Sequence, residues 1–394
     1  MPPLHRHCMI VHSYYPVGET RVQRQALALL DAGIDVDVIC LRGEGEPARE
    51  TVEGVRVFRL PVRRHKGRGA SVQLLEYLVF FFAAFFKLIR LLIADRYATV
   101  QVHNLPDFLV FAALPARLVG AKIILDLHDL MPELFAGRFE TDLSDRRVKL
   151  IALQERLACR FADRVVTVTH EWRDTLVDRG VRAEKTAVVM NLADGRLFSP
   201  RVEGPGEGLH LLYHGTFTHR YGVDVAVEAT EIVARSRPDV RLSLLGDGET
   251  RPELVALVDH LGLEARVTIS PGMVEAEELP GFLATADIGL VPNRSNIFTD
   301  GILPTKLLEY VAMGIPVVVT RTPGVAAYFD ESMVGFAQPG DAADLAARIL
   351  DLASDSELRR SRLAAVESFN ERYNWGRHAR EYVAMVGGLR DGAT

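Results

Sequence analysis

The sequence has few cysteines and no excess of basic residues. Three cysteines occur among 394 residues, Cys8, Cys40 and Cys159, and their spacing matches neither a zinc site nor a redox pair. We therefore expect no metal site and no disulfide scaffold, and the pattern suits a reducing compartment. The formal net charge of -6 argues against a general nucleic-acid binder, whose affinity comes from a basic face.

A secretory leader is not expected either. The strand-like run at residues 8–13 begins almost at once, which leaves no room for the charged and apolar regions of a signal peptide. We therefore expect a cytoplasmic protein. Residues 1–200 carry 28 Lys and Arg against 24 Asp and Glu, whereas residues 201–394 carry 18 against 28. The N-terminal half is thus the half that would approach an anionic surface.

Strand-like apolar runs alternate with helical patterns along the chain, which is typical of parallel α/β sheets. The expected strands are 8–14, 35–41, 54–60, 99–103, 121–127, 164–169 and 186–190 in the first half, and 209–214, 241–245, 266–270, 288–291 and 316–320 in the second.

The length and a linker predict two domains. The stretch 199–208 is rich in Pro and Gly and interrupts the alternation. We predict Rossmann-like, doubly wound parallel-sheet domains at 1–198 and 209–374, and a helix at 375–394 that crosses the domain junction. Two facing domains of this kind bind ligands in a cleft at the carboxyl ends of their strands.

The run from Pro304 to Thr320 predicts a turn, a short helix, a stop at Gly314 and an apolar strand. Lys306 and Glu309 are three residues apart, so one helical turn presents a cation beside a carboxylate. The free N–H groups of the first turn favour an anion. We expect a phosphate to lie near Lys306 and a sugar or ribose hydroxyl to donate to Glu309.

A titratable cluster follows the strand predicted at 121–127. His128 and Asp129 come directly after Asp126 and Leu127, so His128 could orient or polarise a sugar hydroxyl while an acidic neighbour sets its tautomer. The alternative is a hydrogen-bonding cluster that only closes the strand. Three further histidines also follow predicted strands: His12, His103 and His214.

The turns after the first strand of each half are candidate binding loops. Gly18 would let the backbone approach a ligand, and Arg21 and Arg24 lie one turn apart, where they could meet an acceptor phosphate. Surface arginines on an ordinary turn are the alternative. The equivalent turn of the second half contains Gly215 and one side chain that is always positively charged, Arg220. Gly246 lies in a further Gly-Asp-Gly turn.

The segment 71–94 predicts a helix with an unusually apolar surface. Residues 77–86 carry no charge and include five phenylalanines, and the charges of Glu76, Lys87 and Arg90 fall within about 60° of one another at 100° per residue. These charges interrupt any window of ~20 apolar residues, so a membrane span is not expected. With the basic run 63–68 the helix could bind an anionic membrane surface, or it could instead be buried against the sheet.

Together these segments resemble the retaining glycosyltransferases of family 4, which have the GT-B architecture. The similarity covers nearly the whole chain and is carried by the order and spacing of several motifs. They are Thr20 to Ala26, Ala32 to Val36, His128-Asp129 with Pro132-Glu133, Ala162 to Thr169, Asn191 to Asp194 with Phe198, Gly246 to Gly248, Ala286 to Pro292 and Pro304 to Thr320.

The resemblance implies a nucleotide-diphosphate sugar on the C-terminal domain, an acceptor on the N-terminal domain, and no metal or cofactor. By position, Glu309 would contact the ribose, Lys306 and Arg220 the pyrophosphate, and His128 the transferred sugar. The predicted catalytic residues are therefore His128, Lys306 and Glu309. The predicted donor-binding residues are Gly215, Arg220, Gly246, Thr305, Lys306, Leu308 and Glu309, and the predicted acceptor-binding residues are Gly18, Arg21, Arg24 and Asp129.

Two departures from the family pattern concern the donor site. Position 301 is Gly where a second acid is often found, and the nearest acid is Asp300. Thr216 and Tyr221 stand where Arg and Lys are common. Lys306 would then bind more of the phosphate.

The expected acceptor is a lipid-linked glycan or glycolipid precursor of cell-envelope polysaccharide, on the inner face of the cytoplasmic membrane. A nucleotide-sugar epimerase of the same architecture and a non-catalytic partner subunit are the alternatives. The sequence does not identify the base, the sugar or the acceptor.

Overall fold

The computed structural model describes residues 6–17, 19–64, 70–200 and 208–390, which form two compact α/β units. The first unit is Met1–Asn191 together with Gly376–Thr394, and the second is Leu192–Trp375. The boundary expected at residue 198 thus lies within the second unit, and nearly all of the final helix belongs to the first.

An eight-stranded sheet with the order β3-β4-β2-β1-β5-β6-β7-β8 is the centre of the first unit, and β3 pairs antiparallel with β4 while the other pairs are parallel. The strands are β1 (Arg6–Ile10), β2 (Asp35–Leu41), β3 (Arg49–Val52), β4 (Val55–Leu60), β5 (Tyr97–His103), β6 (Lys122–Leu127), β7 (Arg164–Thr167) and β8 (Thr186–Val188).

Helices lie between most of these strands. They are α1 (Thr20–Asp31), α2 (Ala70–Ala94), α3 (Leu114–Leu118), α4 (Met131–Arg138), α5 (Arg146–Phe161) and α6 (His170–Asp178), and a 3₁₀ helix, Asp107–Ala113, precedes α3. Every residue of β5 is buried, because helices cover both faces of a parallel sheet. Asp145 and Thr169 cap α5 and α6 by accepting hydrogen bonds from Arg147 N and Trp172 N.

A six-stranded parallel sheet with the order β11-β10-β9-β12-β13-β14 forms the second unit. Its strands are β9 (Leu209–His214), β10 (Val240–Leu245), β11 (Val267–Ile269), β12 (Ile288–Val291), β13 (Val317–Thr320) and β14 (Gly335–Ala337). Its helices are α7 (Val223–Ala234), α8 (Arg251–His260), α9 (Leu279–Leu283), α10 (Thr305–Ala312), α11 (Pro323–Ala326), α12 (Ala342–Ser354) and α13 (Ser356–Arg372).

The last helix, α14 (Trp375–Arg390), packs on the sheet of the first unit. The Tyr382 hydroxyl, which is fully buried, donates a hydrogen bond of 2.6 Å to Gln101 Oε1 on β5. The chain therefore begins and ends in the same unit.

The predicted fold class is confirmed, since both units are α/β with doubly wound sheets that are parallel except at β3. The prediction missed β3 and β14, which are short, and it placed β1 two residues late. The strand order reverses between β1 and β5 in the first unit and between β9 and β12 in the second. Such switch points open a crevice at the carboxyl ends of the strands, where ligands bind in sheets of this kind.

Helix α2 packs on the first unit along one narrow stripe. The buried residues are spaced at three to four residues and are Glu76, Phe80, Ala84, Leu88 and Leu91. Within the stripe, Glu76 Oε1 lies 3.1 Å from His12 Nε2, and the Lys87 amine lies 4.3 Å from the centre of the Phe58 ring. Glu76 and Lys87, two of the three charged residues of α2, therefore face the rest of the first unit, and the opposite face of the helix is apolar.

By length and composition alone α2 is long and apolar enough to cross a membrane, and the expectation that its charges exclude a span stays a prediction. A core helix of a soluble protein passes the same test but is mostly buried. By contrast, only 22% of the most apolar 18-residue stretch of α2 is buried.

The packing of β12 against α10 leaves no room for a side chain at Gly289. A Cβ atom there would lie 2.6 Å from carbon atoms of the buried Tyr310 ring. We predict that Gly289→Ala lowers the free energy of unfolding by about 1–3 kcal/mol, measured by urea denaturation. Gly281→Ala is the matched control, since nothing lies within 4 Å of its added Cβ. Equal stability of the two variants would contradict the described packing.

Candidate functional site

Three titratable side chains meet at the carboxyl edge of the first sheet. His103 is the last residue of β5, Asp126 is the penultimate residue of β6, and His128 follows β6 directly. His103 Nδ1 lies 3.0 Å from His128 Nε2 and 3.4 Å from Asp126 Oδ2. The His128 backbone N–H donates to Asn104 Oδ1 at 2.8 Å, which fixes the turn after β6.

Asp126 is the centre of this cluster and is fully buried. Its two oxygens accept hydrogen bonds from Arg21 at 2.8 and 3.2 Å, and Oδ2 also accepts from Gln25 and Gln101 at 2.9 and 3.0 Å. Burial acts to raise the pKa of Asp126, but the Arg21 guanidinium and the bond to His103 hold that pKa well below its usual value. Asp126 is therefore an anion at neutral pH.

His128 is a neutral group at neutral pH. Its burial, together with the nearby Arg21 and His103, lowers its pKa to about 3 although the Asp126 charge acts to raise it. The Nδ1 atom lies 3.9 Å from Glu19 Oε2, and burial raises the pKa of Glu19 to about 7. His128 can therefore exchange hydrogen bonds with a hydroxyl, but it cannot supply a positive charge.

The acceptor-phosphate role expected for Arg21 and Arg24 is wrong. Both side chains are buried, at 4% and 6% exposure. Arg21 binds Asp126 and donates to Val189 O at 2.7 Å, and Arg24 donates to Asn191 Oδ1 at 2.5 Å. These arginines hold the fold together beneath the site.

Two further acceptor-site predictions remain open. Gly18 lies outside the described residues. Asp129 is half-buried beside His128, and its backbone carbonyl accepts a hydrogen bond of 2.6 Å from Asn104 Nδ2. Asp129 therefore stays a prediction.

The same cluster contains the donor types of a metal site. His103, Asp126 and His128 place potential ligand atoms within 4.8 Å of one another. The Arg21 guanidinium, however, lies 2.8 Å from the Asp126 carboxylate and would repel a divalent cation. The donor set therefore fits a metal poorly as long as Arg21 is in place.

In the second unit, Lys306 on α10 is buried beside two tyrosine rings. Its amine lies 4.6 Å from the ring centres of both Tyr213 and Tyr221, and it donates to the Tyr213 hydroxyl at 3.3 Å. Burial lowers the pKa of Lys306 to about 8, and the charge of Glu309 acts in the opposite direction. An anion bound here would raise the pKa of Lys306 again.

Glu309 lies one turn along α10 and faces the end of β9. Its Oε2 atom is 3.2 Å from Nε2 of His214, the last residue of β9. Burial, and then the charge of Lys306, lower the pKa of His214 to about 3, so His214 is neutral beside the Glu309 carboxylate. The His214 Nε2 atom forms no hydrogen bond among the described residues, and Glu309 is only partly buried.

Two predicted glycines let neighbouring turns approach Lys306. Gly246 has φ +157, and a Cβ atom there would lie 1.9 Å from Gly215 O. Gly215 has φ +121, and its Cβ would lie 3.3 Å from Lys306 Cε. A side chain at Gly246 would push the turn after β9 out of place. Gly215 therefore lies against Lys306 and Gly246 against Gly215, and the donor-binding role of both glycines stays a prediction.

Arg220 also lies near this site. Its guanidinium carbon is 5.2 Å from the centre of the Tyr221 ring, and the Lys306 amine contacts the same ring. Among the described residues, four buried polar atoms near the ends of β9 and β12 have no hydrogen-bond partner: His214 Nε2, Thr218 Oγ1, Arg220 Nε and Asn293 Oδ1. Such atoms are expected to bind a ligand or water.

The remaining predicted residues are less directly placed. Thr305 is the exposed first residue of α10, and Leu308 is buried in its core-facing side. Asp300 accepts a hydrogen bond of 2.9 Å from the Ser295 hydroxyl, so it is held within its own loop.

The sequence prediction placed Asp126 and His103 at strand ends without pairing them, and it assigned no site role to Tyr213, Tyr221 or Glu19. These residues lie at strand ends and in the turns that follow, and this position is a signal that the sequence offers. Which of the side chains meet depends on the strand order, and contacts between residues far apart in the sequence determine that order.

Comparisons with known proteins agree for both units. The sequence model of the glycosyl transferase 4-like domain matches residues 18–191, and that of the glycosyl transferases group 1 matches residues 208–355. The putative colanic acid biosynthesis glycosyltransferase WcaL of Salmonella typhimurium is 29% identical over 296 residues, which are 72% of this chain and 71% of that protein.

Solved structures share the fold over nearly the whole chain. A sucrose-phosphate synthase from Thermosynechococcus elongatus has a TM-score of 0.79 at 19% identity, covering 98% of this chain and all (100%) of that one. HepE of Anabaena, in complex with UDP, has a TM-score of 0.69 at 16% identity, covering 97% of this chain and 100% of that one.

The buried Arg21–Asp126 pair predicts a large effect of neutralising Asp126. Asp126→Asn should lower the free energy of unfolding by roughly 3 kcal/mol, because it leaves the Arg21 charge buried without a counter-ion. Urea denaturation followed by circular dichroism measures this. The control Asp174→Asn breaks the exposed Arg173–Asp174 pair, whose loss should cost less than about 1 kcal/mol. A similar small loss in both variants would contradict the buried pair.

Proposed function

The chain belongs to the family 4 and group 1 glycosyltransferases of GT-B architecture, and we propose that it moves a sugar from a nucleotide-diphosphate sugar to an acceptor hydroxyl with retention of the anomeric configuration. The acceptor is a lipid-linked glycan or glycolipid precursor. The reaction needs no metal.

The observation that carries the proposal is the arrangement of Lys306 and Glu309 on α10. A buried ammonium with a lowered pKa, and a carboxylate 3.2 Å from His214 Nε2, lie where β9 and β12 diverge, which is the ligand position of a doubly wound sheet. Lys306 and Arg220 bind the diphosphate, and Glu309 accepts hydrogen bonds from the ribose hydroxyls. Binding of UDP by HepE, which shares the fold, supports this choice.

The charge of the leaving group determines the mechanism that we propose. As the sugar–phosphate bond breaks, negative charge grows on the departing diphosphate, and Lys306, Arg220 and the first N–H groups of α10 stabilise it. The leaving phosphate oxygen accepts the proton of the attacking acceptor hydroxyl. Attack and departure on the same face retain the configuration at the anomeric carbon.

His128 acts on the transferred sugar as a neutral hydrogen-bonding group. Its pKa of about 3 excludes a role as an imidazolium at neutral pH. Asp126 lies against His103, which in turn contacts the His128 ring, and a sugar hydroxyl then meets a fixed imidazole. The positive charge beside Asp126 is that of Arg21, which supports a reaction without a metal at this cluster.

The exposed apolar face of α2 supports an acceptor at a membrane surface. Its exposed residues are Leu74, Leu75, Leu78, Val79, Phe82, Phe86 and Ile93. An apolar helix face of this extent binds the interface between lipid and water. Arg63 and Arg64 are exposed just before α2, and the rest of the basic run, 65–68, lies outside the described residues.

The proposed location is the cytoplasmic face of the membrane, where nucleotide sugars and lipid-linked precursors meet. The relative named for colanic acid biosynthesis supports a role in polysaccharide synthesis.

Replacing Lys306 should separate this proposal from a structural role of the lysine. Lys306→Ala should lower the rate of sugar transfer at least tenfold, about 1.4 kcal/mol of transition-state stabilisation, because the departing diphosphate loses a cation. Release of the nucleoside diphosphate in the presence of acceptor measures this. Lys122→Ala, in the first unit, is the control and should keep the wild-type rate. A Lys306→Ala enzyme with near-normal kinetics would refute the assignment.

The same protein should leave a nucleotide sugar unchanged when no acceptor is present. Proton NMR of the donor measures this. Conversion of the donor to its epimer under these conditions would identify an epimerase instead.

Membrane association should depend on the outward face of α2. Phe82→Ser with Phe86→Ser should reduce flotation with lipid vesicles at least tenfold, since both rings are more than half exposed and would enter the interface. The matched control is Val255→Ser with Phe282→Ser, which changes two exposed apolar residues of the second unit. Unchanged flotation of the Phe82/Phe86 variant, with its fold intact, would exclude α2 as the membrane contact.

A further inference from the structure

A basic cavity of about 390 Å³ lies on the first unit, away from the cluster around Asp126. It lies between the last turn of α5 and the connection from α6 to β8, and four cations line it: Arg156, Arg160, Arg182 and Lys185. Both segments lead into the first residue of a strand, so the cavity is at the amino edge of the sheet. His103 and His128 are at the carboxyl edge, and a strand of six residues spans roughly 20 Å.

The positive charge of this cavity is poorly compensated. Arg156 and Arg160 are exposed and form no ion pair within the part of the chain that the structure describes. Of the nearby carboxylates, Glu184 pairs with Arg182 at 3.3 Å, and Asp163 pairs with Arg117 at 3.2 Å. An anionic ligand would therefore find unpaired cations here.

Lys185 neutralises the carboxyl end of α5, which would otherwise repel an anion in the cavity. The last carbonyls of a helix repel negative charge. Lys185 Nζ donates to Cys159 O and Arg160 O at 3.1 and 3.3 Å and so neutralises that end of α5. Burial and the neighbouring Arg182 both lower the pKa of Lys185, which agrees with a positive potential in the cavity.

The surface of α5 next to the cavity has the composition of a membrane-binding helix. All of its exposed residues are Leu, Arg or Lys: Arg146, Arg147, Lys149, Leu150, Leu153, Arg156, Leu157 and Arg160. At 100° per residue the three leucines span about 60° of the helix, and the stripe of Lys149, Arg156 and Arg160 lies directly beside them. The leucines thus face outward next to the cations of the cavity.

This surface continues towards the exposed face of α2. The connections that contain α2, α3 and α5 all run towards the β8 side of the sheet, so right-handed crossovers place these helices on one face. The 3₁₀ helix Asp107–Ala113 joins them, since Phe108 contacts Phe81 of α2 and Phe111 contacts Phe161 of α5, with ring centres 6.2 and 5.1 Å apart. Leu114, Leu118 and Val119 are exposed in the same layer.

We propose that the cavity binds the phosphate group of an anionic phospholipid while Leu150, Leu153 and Leu157 enter the interface beside it. The proposal rests on the membrane association argued under the proposed function and adds a specific lipid-phosphate site to it. Charge complementarity and continuity with the exposed α2 face favour a lipid over a soluble anion. Arg156 and Arg160 present guanidinium groups that suit a phosphate diester.

Flotation with two kinds of vesicle tests the cavity. One kind contains phosphatidylcholine alone, and the other also contains about 30% phosphatidylglycerol, so that the difference measures the anionic contribution. Arg156→Gln with Arg160→Gln should lose at least tenfold of the affinity for the anionic vesicles and keep the wild-type affinity for the neutral ones.

Arg348→Gln with Arg360→Gln is the control, because it removes two exposed arginines from the second unit. It should bind both vesicles as the wild type does. Unchanged binding by the cavity variant, or an equal loss in the control, would overturn the proposal.

The leucines distinguish a lipid from a free anion. Leu153→Ser with Leu157→Ser should also weaken binding to the anionic vesicles while leaving the thermal shift caused by inorganic phosphate unchanged. Wild-type vesicle binding by the leucine variant, together with a phosphate shift that needs Arg156 and Arg160, would assign the cavity to a soluble phosphate and overturn the lipid assignment. Binding to neutral vesicles reports on α2 separately, so a failure of the cavity leaves the proposed function standing.

Discussion

The burial of the Lys306 ammonium is the interaction on which the donor half of this protein depends. Transferring a charged amine from water into a site between two tyrosine rings costs free energy, and the partly buried Glu309 offsets only part of it, as the lowered pKa of about 8 shows. A bound diphosphate would supply the missing negative charge. The turns around Lys306 pack closely because Gly215 and Gly246 have no side chains.

The first unit also buries a charge, but here the charge is an anion and the protein itself supplies the counter-charge. Asp126 is a buried anion whose charge is fully compensated by Arg21 and two glutamine amides. With that charge already balanced by Arg21, His128 stays neutral. One unit therefore presents a cation that Glu309 balances only in part, and the other presents a rigid neutral hydrogen-bonding group, which suits a charged donor and a hydroxyl acceptor.

The sequence predicted the fold class, most strands and the residues of α10, because each depends on local patterns. Near-continuous apolar runs identify parallel strands, and Pro304, Lys306, Glu309 and Gly314 lie within one short segment. The roles of Arg21 and Arg24 were wrong because a short-range pattern cannot tell a surface arginine from one paired with Asp126, more than a hundred residues away. Strand β3 was missed because Arg49, Glu50 and Thr51 are exposed and form no apolar run, and β14 because it has only three residues and begins with glycine. The basic face of α5 carried no motif.

The dependence of nucleotide affinity on pH tests the central claim most directly. Isothermal titration with whichever of UDP, GDP and ADP binds should show an affinity that falls by up to tenfold per pH unit above about pH 8, because Lys306 must then take up a proton on binding. Below pH 8 the amine is already charged, so the affinity should be nearly constant with respect to this group. In Lys306→Met the fall above pH 8 should disappear and the affinity should be low throughout. An identical pH profile in the wild type and this variant would contradict the account.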